Sequence, residues 1–109
     1  QVYPDLGNLN AWPENDVEAE LELGIDEIAA LHVKDTLNVT DTFKGKFKNV
    51  PFGEGQVDFL GCFKTLKRLG YNGTFMLEMW SETSDDPEAE IKKALAYTLP
   101  IFKEAGYEF

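Results

Sequence analysis

Three residues of types that bind metal ions each stand at the end of a short apolar stretch of the chain. Asp5 follows the apolar start, His32 lies in the run 28–33, and Glu78 lies in the run 74–80; the chain has no other histidine. Carboxylate oxygens and an imidazole nitrogen suit a divalent ion such as Zn²⁺, Mn²⁺ or Co²⁺. If the three stretches are neighbouring strands, the sequence predicts a divalent-metal site at their ends.

Each of these residues also has a purely structural explanation. Asp5 precedes Gly7 by two positions and could stabilise a turn through its side chain. His32 alone would be read as a hydrogen-bonded strand residue. A carboxylate such as Glu78 inside an apolar run is expected to be buried, and a buried charge is costly unless it is paired or bound to a metal. The occurrence of all three at equivalent positions favours the metal site.

Strand and helix patterns alternate along the chain. Apolar runs bounded by polar residues predict strands, and apolar residues at helical spacing between capping residues and glycines predict helices. Asn15 or Asp16 caps the first helix and Asp58 the second, Pro87 begins the third, and Pro100 predicts a kink within it. The predicted strands are 2–3, 28–33 and 74–80, and the predicted helices are 17–24, 59–70 and 87–106, with polar loops at 7–16 and 35–56.

This alternation predicts an α/β fold with parallel strands and outer helices. A glycine-rich phosphate fingerprint is absent after the first strand, which weighs against a Rossmann domain. Three strand–helix units match the last three of the eight in a TIM barrel, a fold that normally needs about 250 residues. The start lacks an initiator methionine, so we interpret residues 1–109 as the C-terminal part of one barrel domain whose N-terminal part is absent.

Composition narrows the possible partners. The net charge is −10, which argues against nucleic acid or an anionic membrane as a partner because both need basic footprints. No apolar run approaches the roughly 20 residues of a membrane span. The single cysteine, Cys62, lies in an apolar helical pattern and is predicted to be a buried, inert thiol, in keeping with a reducing cytoplasm.

Four segments of the chain, in order, resemble the C-terminal part of the L-ribulose-5-phosphate 3-epimerases, also called L-xylulose-5-phosphate 3-epimerases. These enzymes belong to the xylose-isomerase-like TIM-barrel superfamily, and many of its members are described as hexulose-6-phosphate isomerases. The four segments are YPDLGNLNAW, AALHVKDT, FKNVPFGEGQVDF and MLEMWSE. The resemblance covers essentially the whole chain, and the ordered series is more specific than any one segment.

The resemblance implies a metal site of two glutamates, one aspartate and one histidine. Three of these ligands match Asp5, His32 and Glu78, and Zn²⁺, Mn²⁺ and Co²⁺ remain the candidates for the metal. The fourth, a glutamate on an earlier strand, is expected upstream of Gln1. Without that ligand we expect the chain by itself to be inactive.

The resemblance also implies a reaction. The full-length protein is expected to interconvert L-ribulose 5-phosphate and L-xylulose 5-phosphate in pentose or ascorbate catabolism, by proton transfer at carbon 3 through an enediolate. Epimerisation needs an acid/base group on each face of that carbon, and Glu78 would be one of them. A divalent ion would stabilise the charge that develops on the neighbouring oxygens.

Binding the phosphorylated ketopentose needs cationic and hydrogen-bonding groups. Lys34 and Lys48 are the candidates for the substrate or its phosphate, and Asn8 is a candidate for a hydrogen bond to the substrate near the metal. Lys44 and Lys46 are interpreted as solvated loop charges. For the full-length protein we expect a homodimer in the cytoplasm.

Two other interpretations remain open at the level of the sequence. One is an aldose–ketose isomerase, or a 3-epimerase of non-phosphorylated ketoses, from the same superfamily. The other is a non-catalytic assembly or binding fragment, since three strands in isolation would leave sheet edges open.

Overall fold

The computed structural model of the chain describes residues 2–47, 50–78 and 86–108. A 3₁₀ turn at Ile25–Glu27 precedes the first strand. The helices are α1 (Leu6–Asn10), α2 (Val17–Gly24), α3 (Phe59–Arg68) and α4 (Pro87–Ala105), and the strands are β1 (Ala30–Val33) and β2 (Thr74–Leu77). Within these ranges, none of the helices has the length and apolar character needed to span a membrane.

β1 lies in the middle of a parallel arrangement. It pairs with β2, with His32 opposite Met76. On its other side the first segment of the chain forms parallel bridges, Val2 with Ile28 and Asp5 with His32. The predicted first strand is therefore reduced to bridges, since Pro4 between them has a carbonyl for pairing but no N–H.

The predicted caps Asp16 and Asp58 begin α2 and α3, whereas α3, predicted to run to residue 70, ends at Arg68. The side chains of Asp16, Asp58 and Asp86 each accept a hydrogen bond from the backbone N–H three residues further on, at the start of α2, α3 and α4. Gly106 ends α4 at a φ of 106°, a left-handed conformation that glycine adopts without steric cost. α4 continues through Pro100 as one helix.

Two predicted elements, the loop after the first strand and the third strand, differ from the structure. The loop predicted at 7–16 contains most of α1, which begins after Asp5 because the Asp5 carboxylate accepts the Asn8 backbone N–H at 3.0 Å. Its Gly7 and its asparagines are poor helix formers, so no periodic pattern marked it. The strand predicted at 74–80 ends at Leu77, and residues 79–80 lie outside the described part of the chain.

The two faces of the strand pair have different surroundings. Leu31 and Val33 of β1 are fully buried in the core that α3 and α4 complete. There the Phe63 ring of α3 stacks on that of Phe102 in α4 at 3.9 Å between centroids. Because side chains alternate along a strand, His32 and Met76 point to the other face, where Met76 is 47% exposed.

One buried carboxylate organises the long loop after β1. Asp35 accepts hydrogen bonds from the backbone N–H groups of Thr36 at 3.0 Å, Gly53 at 2.9 Å, Gly55 at 3.0 Å and Val57 at 3.2 Å. A Cβ atom at Gly55 would collide with this carboxylate, so only glycine fits there. Asp35 thus connects the end of β1 to the segment that enters α3.

Asp35→Asn is expected to destabilise the fold by about 3 kcal/mol, because the amide NH₂ would face backbone donors that then lack an acceptor. The free energy of unfolding, measured by urea denaturation, checks this. Asp41→Asn is the matched control: Asp41 is exposed, and its replacement should change stability by no more than about 0.5 kcal/mol. Equal stabilities of the two variants would show that Asp35 does not hold the loop.

The prediction of a buried thiol at Cys62 is confirmed. Cys62 is 3% exposed, and burial, with smaller contributions from the carboxylates of Asp58 and Glu18, raises the pKa of its thiol to about 12. The fold therefore favours the neutral thiol. The stability that this group contributes is complete below its ordinary pKa of 9.0 and is lost as the pH rises toward 12.

We expect Cys62 in the folded chain to resist a disulfide reagent such as DTNB at mildly alkaline pH, since the reactive thiolate is scarce and access is blocked. The same chain unfolded in urea provides the control and should react completely. Rapid labelling of the folded chain would contradict the buried assignment.

Candidate metal centre

The backbone pairing places the three predicted ligands on one face at the carboxyl ends of the strands. The parallel bridge sets Asp5 beside His32. On the other side His32 pairs with Met76, and Glu78 lies two residues further along on the same face. Ligand atoms from Asp5, His32 and Glu78 all lie within 4.8 Å of one another. The structure therefore brings together the residues that the sequence singled out.

Glu78 and His32 are in direct contact at the open side of this cluster. The His32 Nδ1 atom lies 3.4 Å from Glu78 Oε2, and the two side chains are 31% and 33% exposed. The expectation that Glu78 is buried was wrong, because its side chain points away from the face that the helices cover. The Glu78 backbone remains tied to β1 by a hydrogen bond from its N–H to the Val33 carbonyl at 2.8 Å.

Asp5 is the more enclosed carboxylate. Its Oδ1 atom accepts the Asn8 backbone N–H at 3.0 Å, and its Oδ2 atom lies 3.6 Å from the Lys34 ammonium. Burial raises the pKa of the Asp5 carboxyl above its ordinary value, and the nearby Glu78 carboxylate adds to the rise, whereas the Asn8 N–H and Lys34 oppose it. The enclosed Asp5 carboxylate thus lies close to the Glu78 carboxylate, which is open to solvent.

The chemistry of this donor set fits a divalent cation. Two carboxylate oxygens and an imidazole nitrogen are the ligand types that Zn²⁺, Mn²⁺ and Co²⁺ accept. The nearby Glu78 carboxylate disfavours ionisation of Asp5, and a doubly charged cation between the two would remove that penalty. Asp5, His32 and Glu78 are therefore the residues that would hold the metal.

The predicted substrate-binding residues have different positions. Lys34 is buried against Asp5, and Asn8 contributes its backbone N–H to Asp5 while the residue itself is exposed. Both lie next to the candidate metal ligands, and their roles in substrate binding remain predictions. Lys48 lies outside the described residues.

Sequence reasoning missed a network of amides that joins α1 to the loop after β1. The Asn10 side-chain NH₂ donates to Asn38 Oδ1 at 3.2 Å and to the Gln56 carbonyl at 3.1 Å. The Asn38 backbone N–H donates to Gln56 Oε1 at 2.6 Å. In the sequence these residues appear as ordinary loop and turn formers, and only the fold brings them together.

Comparison with known proteins identifies the family. Residues 1–101 match the model of the family described as "Xylose isomerase-like TIM barrel". The chain belongs to this family. The predicted fold class, an α/β fold with parallel strands and outer helices from a TIM barrel, is confirmed for this member of the xylose isomerase-like barrels.

Curated relatives match almost the whole chain. "Putative L-ribulose-5-phosphate 3-epimerase SgbU" of Escherichia coli strain K12 is 56% identical over 106 residues, covering 97% of this chain and 37% of the relative. "L-ribulose-5-phosphate 3-epimerase UlaE" of an E. coli Crooks strain is 55% identical over 106 residues, covering 97% and 35%. The chain thus spans about a third of the length of these relatives.

A solved structure supports the fold independently. The "Structure of L-ribulose 3-epimerase" superposes with a TM-score of 0.69, covering 94% of this chain and 36% of that one. Its sequence identity is 19%, so the likeness establishes the backbone arrangement only.

We expect the chain to bind Co²⁺ or Zn²⁺ through Asp5, His32 and Glu78. The variants His32→Ala and Glu78→Gln should each weaken this binding at least about tenfold, because even the loss of a residue that hydrogen-bonds to a metal ligand lowers metal affinity by that much. Glu88→Gln is the matched control, because Glu88 lies on α4 with an 80% exposed side chain paired with Lys92. Titration calorimetry, with Co²⁺ absorption as a second measure, gives the affinities. Wild-type affinity in both site variants would rule out this centre.

Proposed function

We propose that the chain forms part of a metal-dependent sugar-phosphate epimerase that interconverts L-ribulose 5-phosphate and L-xylulose 5-phosphate. The observation that carries the proposal is the convergence of Asp5, His32 and Glu78 within 4.8 Å at the carboxyl ends of the strands. Active sites of TIM barrels are built at that end. Relatives that are identical to this chain at more than half of the aligned positions are named as L-ribulose-5-phosphate 3-epimerases.

The reaction requires removal of a weakly acidic proton from carbon 3 and its return to the opposite face. A divalent cation held by Asp5, His32 and Glu78 would supply positive charge for the oxygens next to that carbon. Glu78 is suited to move the proton: its carboxylate is one-third exposed and therefore open to a substrate. His32, with Nδ1 at 3.4 Å, holds the orientation of that carboxylate.

Inversion needs a second proton-transfer group on the other face of carbon 3. The chain spans about a third of the length of its named relatives, so we assign the second group, and a fourth metal ligand, to the rest of the protein. On this proposal the chain by itself turns over no substrate. Assembly of the whole protein as a homodimer, its cytoplasmic location and its place in pentose or ascorbate catabolism remain predictions.

In the full-length protein, Glu78→Gln is expected to lower kcat by at least about a hundredfold, because an amide cannot exchange the proton. Exchange of the carbon 3 proton with D₂O, followed by NMR at saturating metal, measures proton transfer separately from metal loss. Glu88→Gln on the exposed face of α4 serves as the charge-matched control and should retain full activity. An active Glu78→Gln enzyme would refute the assignment of Glu78.

Substrate comparison separates this proposal from its rivals in the same superfamily. We expect the highest kcat/KM for L-xylulose 5-phosphate and L-ribulose 5-phosphate. Preference for a free ketose would instead indicate a non-phosphorylated ketose 3-epimerase, and carbonyl transfer between carbons 1 and 2 an aldose–ketose isomerase. A metal-loaded full-length protein without turnover on any of these would favour a non-catalytic role.

A further inference from the structure

Lys34 carries a buried ammonium group beside the candidate metal centre. Its side chain is 9% exposed, and its Nζ atom lies 3.6 Å from Asp5 Oδ2, in a carboxylate that is itself 14% exposed. Removing an ammonium from water costs several kcal/mol unless close partners replace its hydration. The position of this cation therefore needs an explanation.

The pairing with Asp5 only partly satisfies the ammonium. At 3.6 Å the contact is longer than a hydrogen bond, and the other oxygen of Asp5 already accepts the Asn8 N–H. Among residues 2–47, 50–78 and 86–108, no acceptor lies within hydrogen-bond distance and geometry of the Lys34 ammonium. An ammonium has three N–H donors, so Lys34 keeps donor capacity for a ligand.

The stem of Lys34 is held in place by its contact with α1. A Cβ atom at Gly7 would lie 2.6 Å from the Lys34 carbonyl oxygen and 2.8 Å from Lys34 Cγ, so the two segments approach each other as closely as glycine permits. The Thr36 hydroxyl reinforces this approach by donating to the Gly7 carbonyl at 2.8 Å. This packing positions the base of the Lys34 side chain, whose ammonium lies beside Asp5.

We propose that the Lys34 ammonium binds substrate oxygens at the reacting end, next to carbon 3, and that the phosphate on carbon 5 is bound elsewhere. The inference rests on the proposed function. The same carboxylate that would hold the metal lies beside Lys34, whereas the phosphate is at the far end of the ketopentose. A fixed, desolvated cation is most effective where negative charge develops in the transition state.

If Lys34 only positioned Asp5, removing it would change metal affinity in a different direction from the one that the proposal predicts. A positive charge next to a candidate ligand repels a divalent cation, so its removal should leave metal affinity unchanged or increase it. If Lys34 served only to orient Asp5, its removal should weaken the site. The sign of the change in affinity therefore distinguishes the two roles without any assay of activity.

The first test measures Zn²⁺ and Co²⁺ affinity of the chain itself for Lys34→Met and for the control Lys44→Met, in which an exposed loop lysine is replaced. Methionine keeps much of the stem and removes the charge, and circular dichroism checks folding; Lys34→Gln provides a second uncharged variant. We expect Lys34→Met to bind metal at least as tightly as wild type. Binding about tenfold weaker, the loss expected when a partner of a metal ligand is removed, would overturn the proposal.

The second test uses the full-length protein at saturating metal. Lys34→Met is expected to lower kcat on L-xylulose 5-phosphate about a hundredfold or more, with inhibition by inorganic phosphate unchanged, and Lys44→Met should behave as wild type. A retained kcat with a raised KM and weaker inhibition by phosphate would overturn the inference and assign Lys34 to the phosphate. A wild-type protein without activity on any ketose would overturn the proposed function, and the inference with it. An active wild type matched by Lys34→Met would overturn the inference alone.

Discussion

The parallel pairing of the first segment with β1 is the constraint on which the candidate site depends. The His32 N–H donates to the Pro4 carbonyl at 2.9 Å, and the Asp5–His32 bridge then fixes the two side chains at one level of the sheet. A shift of this pairing by one residue would turn Asp5 to the opposite face. Register, more than any side-chain contact, thus decides whether a metal-binding cluster exists.

The opposite face of the same strands supplies the stability for that register. Phe75 of β2 meets the rings of Phe63 and Phe102 from α3 and α4, at centroid distances of 5.8 and 4.8 Å. Aromatic and aliphatic burial there holds the strands side by side, while the face with His32 carries polar groups half open to solvent. The alternation of side chains along a strand separates the stabilising residues from the reactive ones.

Sequence signals predicted the features that depend on neighbouring residues or on strand alternation. The caps at Asp16 and Asp58 and the end of α4 at Gly106 are local, and they are as predicted. The position of Glu78 at the end of a buried strand pattern also located it beside His32. Features that depend on distant contacts were not predictable: the partners of Asp35 lie up to 22 residues further along the chain, and its carboxylate gives no periodic signal. The ion pair between Lys34 and Asp5 likewise requires the folded sheet.

The Asp35 anchor divides the loop after β1 into parts with different tolerance to change. Beyond the anchor, Leu37 and Lys46 exchange backbone hydrogen bonds at 2.9 and 3.0 Å, and the segment between them turns back on itself. Asp35 and its hydrogen-bond partners lie at the base of this loop. Residues added at its exposed tip would therefore lengthen the loop without moving the strand ends. Lengthening such a loop costs little free energy, since the closure entropy grows only with the logarithm of its length. The tip is therefore a region where related barrels can differ in length while the metal ligands keep their places.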